Sequence, residues 1–98
     1  MTSGYVGIMT FELHFPESHS LKGKRKELLS VKAQLQRRFG ASVAEVDHHD
    51  VWQRARLTLA CVARGHNELV KLLDGAERYL VGQPFELGLV EREIVTLE

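Results

Sequence analysis

Asp47-His48-His49-Asp50 is the stretch of this chain whose residue types most suggest metal chemistry. Imidazole nitrogens and carboxylate oxygens suit zinc or manganese, and His14 and His19 are further imidazoles that folding could bring near. Adjacent side chains in an extended loop point in opposite directions, so His48 and His49 rarely reach one ion together. With no third ligand at a ligating spacing, His48, His49 and Asp50 read as a polar turn, and no metal or cofactor is expected. Cys61, the only cysteine, falls on the apolar side of an alternating segment and reads as a small core residue, not a nucleophile. The sequence has no glycine-rich phosphate loop and no Ser-His-Asp arrangement arguable from spacing. Enzyme activity is not expected.

A different chemistry is concentrated between Ser20 and Phe39. Lys22, Lys24, Arg25, Lys26, Lys32, Arg37 and Arg38 share that segment with one acid, Glu27, for a formal +6. The chain holds thirteen basic and thirteen acidic residues, so the remainder carries −6 and the neutral total hides a polarised molecule. Such a cationic run suits phosphate contact along an RNA backbone, which yields salt-dependent affinity without sequence choice. The plainer alternative is a solvated helix face, because Lys and Arg are good surface helix formers. Trp52, the single tryptophan, with Gln53 and Arg54 beside it, is a candidate base or partner contact. A lone Trp more often closes one end of a small core, and that reading is preferred here. Arg54 is expected to pair with Glu12 across neighbouring strands.

The elements that must position these residues follow from hydrophobic period. Met1 to Gly4 is a short leader. Tyr5 to Phe15 alternates, with Tyr5, Gly7, Met9, Phe11, Leu13 and Phe15 on one side. Pro16 ends that strand, Ser20 is a plausible helix N-cap, and Gly40 is the helix stop. Between them Leu21, Leu28, Val31, Leu35 and Phe39 form one apolar stripe. Lys22, Lys26 and Arg37 fall opposite it; Arg25 and Lys32 border it on one side, Lys24 and Arg38 on the other. Ser42–Val46 is a short strand and Arg54–Ala63 a longer one. Leu69, Leu72, Leu73, Ala76 and Leu80 line a second helix, and Phe85–Leu97 is a last, partly solvated strand.

Strand, helix, strand, strand, helix, strand predicts a ferredoxin-like α+β plait. Its four-stranded antiparallel sheet has the order 4-1-3-2, with both helices on one face. The open face then carries Thr10, Glu12, His14, Arg54, Arg56 and Thr58, and turns apolar toward Val6, Ile8, Ala60 and Val62. A homodimer through that face is expected. Ninety-eight residues make one domain, and 44% hydrophobic with 27% charged residues is an ordinary globular balance. No apolar run approaches the roughly 18 residues of a membrane span, and no signal-peptide pattern opens the chain. A single cysteine fits a reducing compartment, so a cytoplasmic location without membrane contact is expected.

Ser20-Leu21-Lys22-Gly23-Lys24-Arg25, Ser42-Val43-Ala44-Glu45-Val46 and Asp50-Val51-Trp52-Gln53-Arg54-Ala55 resemble the three marked stretches of the YlxP-like family. These small bacterial proteins form a domain of unknown function, and the resemblance covers nearly the whole chain. It implies the same plait. Because the family's genes commonly lie beside those for translation initiation and ribosome maturation, it also implies a ribosome-associated role. The chain departs from the family pattern at Gly23, where an acid is preferred, and at Asp47-His48-His49, where Gly-Asp-Gln is common. The expected function is thus a non-catalytic accessory module that contacts ribosomal RNA or a ribosomal subunit through its basic helix. The alternative is a scaffold homodimer without nucleic acid. Structured RNA is preferred to single strands, because no strand here has the aromatic, glycine-rich pattern that stacks bases on an open sheet.

Overall fold

The computed structural model describes residues 2–98. Six elements follow one another: β1 (Tyr5–His14), α1 (Leu21–Phe39), β2 (Ser42–Asp47), β3 (Arg54–Ala63), α2 (His66–Val81) and β4 (Glu86–Thr96). All neighbouring strands are antiparallel, and the sheet order is β2-β3-β1-β4. This is the ferredoxin-like arrangement that the hydrophobic pattern predicts, with β2 and β4 as edges.

Period 2 in the strands and period 3.6 in the helices meet in one core. Met9, Phe11 and Leu13 of β1 and Ala55, Leu57, Leu59 and Cys61 of β3 face the helices. Leu28, Val31 and Leu35 of α1 and Leu69, Leu73, Ala76 and Leu80 of α2 meet them. Leu35, Leu57, Leu59, Leu69, Leu73 and Leu80 are all fully buried. At about 1.5–3 kcal/mol each, these six together outweigh any single polar contact among the described residues. The helices approach closely where Phe39 lies against Gly75; a Cβ there would stand 2.8 Å from the Phe39 ring. Burial raises the pKa of the Cys61 thiol, as suits a core position.

The ends of α1 are built as its sequence suggests. Ser20 Oγ accepts from the Gly23 amide at 3.0 Å, and Gly40, at φ 64°, closes the helix in the left-handed conformation. The segment before β1 is not a loose leader over its described part. The Ser3 amide donates to Leu97 O at 2.7 Å and the Leu97 amide to Gly4 O at 2.9 Å, which prolongs the β1–β4 ladder. Met1 lies outside the described residues.

Candidate functional site

Six of the seven α1 cations lack an acidic partner among the described residues; the exception is Lys24. Among the described residues, the Lys and Arg side chains paired with carboxylates are Lys24, Arg56 and Arg92. Lys22, Arg25, Lys26 and Arg37 are exposed and Lys32 is half-buried. Lys22, Lys26 and Arg37 form the outer crest of the helix. Arg25 and Lys32, seven residues apart, share the flank toward β2. There Lys32 and Gln36 border a hollow of about 560 Å³ closed by Gly40, Ala41, Ser42 and Val43. Arg38 lies on the opposite flank, with its guanidinium 5.1 Å from the centre of the Tyr79 ring and 5.4 Å from that of Phe39. Those aromatic faces of the protein itself already hold its charge.

Lys24 corrects the expectation that it joins the phosphate-contacting set. It is completely buried. Its Nζ donates to Glu45 Oε2 at 3.0 Å, His48 O at 2.8 Å and Arg54 O at 3.2 Å, with His49 O at 3.4 Å as a fourth, shared acceptor. An ammonium group has three N–H donors, so this set satisfies it fully. The cause is positional: Lys24 precedes Leu28 by one helical turn and Val31 by two, so it points into the core. Glu45 alternates with Val43 on the helix-facing side of β2 and waits there. A buried cation bound to loop carbonyls thus fastens the β2–β3 connection to the first turns of α1.

That fastening also settles the geometry of the histidine run. His48 sits at φ 65°, and its carbonyl accepts from both Lys24 Nζ and the Val51 amide. Its Nε2 stops 3.7 Å from Glu12 Oε2, and both atoms are buried without a hydrogen-bond partner. The His49 ring turns back to its own backbone, with Nε2 3.0 Å from Glu45 O, and Asp50 is exposed. His48, His49 and Asp50 therefore point apart, and no three His, Cys, Asp or Glu side chains gather around a common point among the described residues. His14 lies instead against Glu86, at 2.7 Å. The Asp47 pKa is lowered, chiefly because its carboxylate accepts from the His48 amide at 2.7 Å, with His48 and Arg56 adding positive charge nearby.

Two further expectations shift. Trp52 does not close the core: it is 49% exposed, and its neighbour Val51 is 38% exposed. Gln53 holds the adjoining backbone, its carbonyl accepting from the Phe15 amide at 2.8 Å. Glu12 pairs with Arg56, not Arg54, because the β1–β3 register sets Glu12 opposite Arg56 and His14 opposite Arg54. Arg56 reaches Glu12 Oε1 through Nε and Nη2, both at 2.7 Å. Arg54 is left exposed and unpaired among the described residues.

Residues 6–94 match the family described as "Protein of unknown function (DUF503)". The chain belongs to that family. Among relatives of this DUF503 protein is the "Uncharacterized protein YlxP" of Bacillus subtilis (strain 168). It is 27% identical over 93 residues, covering 95% of this chain and 97% of the relative. A solved structure, the "De novo designed protein Ferredog-Diesel", superposes with a TM-score of 0.46 at 19% identity, over 93% of this chain and 88% of the other. No helix among the described residues is long and apolar enough to cross a membrane.

Proposed function

We propose that this DUF503 protein is an RNA-binding module that grips phosphates with the exposed cations of α1. The observation that carries the reading is that Lys22, Arg25, Lys26, Lys32 and Arg37 have neither an acidic partner nor an aromatic cover among the described residues. A second feature supports it. The first turn of α1 contains no acid and does contain Lys22. The N-terminus of a helix is its positive pole, where a cation costs about 0.3–1 kcal/mol. Charge placed against the helix dipole does not serve folding, and an anionic ligand relieves it.

Ribosomal RNA, in isolation or within a subunit, is the polyanion to test first, as an accessory factor of translation or ribosome maturation would meet it. Co-sedimentation with ribosomal subunits over a salt series is the measurement. Neutralising Lys22, Lys26 and Arg37 together to Gln should flatten the dependence of log affinity on log salt by about two to three. Unchanged affinity and slope in that triple variant would sink the reading. A second reading, self-association through the open sheet face, is favoured by Val62, 69% exposed, and Val95, 37% exposed, beside the half-buried Val6, Ile8 and Ala60. Light scattering at high protein concentration decides it, and a monomer there removes it.

A further inference from the structure

Trp52 is an exposed indole on a loop that is anything but loose. The Lys24 ammonium binds the carbonyls of His48, His49 and Arg54 on either side of it. The Val51 amide donates to His48 O, the Phe15 amide donates to Gln53 O, and the Gln53 side chain reaches Ser18 O at 3.4 Å. A large aromatic side chain left half exposed lies outside the core, yet its backbone is held from both sides. Such an arrangement is preorganised for a flat partner.

The charge around it names the partner. Lys24 ties this loop to α1 between Lys22 and Arg25, two cations without an acidic partner among the described residues. Arg25 lies on the β2-facing flank, as does Lys32 about 10 Å further along the axis, where the hollow of about 560 Å³ opens. Arg54, exposed and unpaired among the described residues, immediately follows the loop. An aromatic platform that leads into a track of cations is the combination that holds single-stranded nucleic acid, with a base on the ring and phosphates on the cations. A duplex keeps its bases stacked inside and offers the indole nothing. Resting on the RNA reading above, and in place of the structured RNA expected from the sequence, we infer that the ligand is an unpaired RNA segment, with one base stacked on Trp52 and its backbone running over Arg25 toward Lys32.

Because Trp52 is the only tryptophan in this sequence, its fluorescence reports this contact directly in the unmodified chain. Three probes separate the possibilities: a labelled single-stranded oligouridylate-adenylate RNA, a blunt RNA duplex of equal length, and heparin. Binding is followed by anisotropy or competition, and stacking by indole quenching. The single strand should bind and quench, while the duplex and heparin should bind more weakly per charge and leave the emission unchanged. Trp52→Ala should weaken the single strand about tenfold and leave heparin unaffected, and Trp52→Phe should restore most of the loss. If all three probes bind without quenching, stacking is overturned and the phosphate reading stands. If none binds at low salt, both fall, and Val51–Trp52 is left as a surface for a protein partner.

Discussion

The two helices pack on the same sheet face and touch at Phe39 and Gly75, yet they differ in their buried stripe, their first turn and the pairing of their acids. The buried stripe of α2 is wholly apolar: Leu69, Leu73, Ala76 and Leu80. Its acids Asp74 and Glu77 are both held by Arg92 of β4, at 2.8 and 3.2 Å, and its first turn carries Glu68, the sign its dipole favours. Helix α1 buries a lysine within its stripe, lacks an acid in its first turn and leaves five cations, four exposed and one half-buried, with no partner among the described residues. The contrast separates roles within one layer. Helix α2 settles its acids within the fold, whereas α1 keeps one charge inside to shape a loop, lays Arg38 against aromatic rings and leaves five cations without an internal partner among the described residues.

The largest effect should come from the one α1 cation that is internal. Lys24→Met keeps the length and apolar stem but leaves Glu45, 13% exposed, without its counter-charge and takes the Nζ donor from three carbonyls, of which His48 O keeps the Val51 amide. Removing one partner of a buried pair typically costs about 3–5 kcal/mol. Chemical denaturation should show a loss of that size, and amide exchange should show the 48–53 loop opening. A loss below about 1 kcal/mol would mean that the loop is held by other contacts. The matching test on α2 is Arg92→Gln, which releases Asp74 and Glu77. Those groups are partly solvated, so the expected loss is at most about 1 kcal/mol, and it should shrink in high salt. A larger loss would erase the distinction between a core charge on α1 and a surface clamp on α2.

The fold was legible because its signals are local and redundant. Met9, Phe11 and Leu13 alternate without exception, Leu69, Leu73, Ala76 and Leu80 keep a helical period, and Ser20 and Gly40 mark both ends of α1. Lys24 was less visible, since a lysine in a basic run is ordinarily solvated. The signal was still present. Lys24 lies in line with Leu28 and Val31, and Glu45 occupies an inward position of the adjoining strand, so two opposite charges face the same layer. The Glu12 partner was misplaced by two residues because register depends on where pairing begins after the 48–53 loop, which no propensity specifies. The core-closing reading of Trp52 rests only on what a lone Trp in a small domain more often does. The inward-facing set of β3 begins only at Ala55, so the ring falls beyond the layer that would have covered it.

The smallest expected change is the most discriminating, because it has opposite signs in two assays. Lys22 stands in the first turn of α1, beyond the Ser20 cap, exposed and without an acidic partner among the described residues. Lys22→Glu replaces a charge that the helix dipole opposes with one that it favours, so the free protein should gain about 0.3–1 kcal/mol, most clearly at low ionic strength. The same change puts a negative charge where a phosphate is proposed to sit, so affinity for RNA should fall. Thermal melts and co-sedimentation, run on one preparation, read both outcomes. If Lys22→Glu stabilises the protein and leaves RNA affinity intact, Lys22 is an ordinary surface residue and the proposed binding crest loses its end nearest Trp52. If it destabilises the protein instead, the charge of α1 already serves the fold, and the division of labour between the helices disappears.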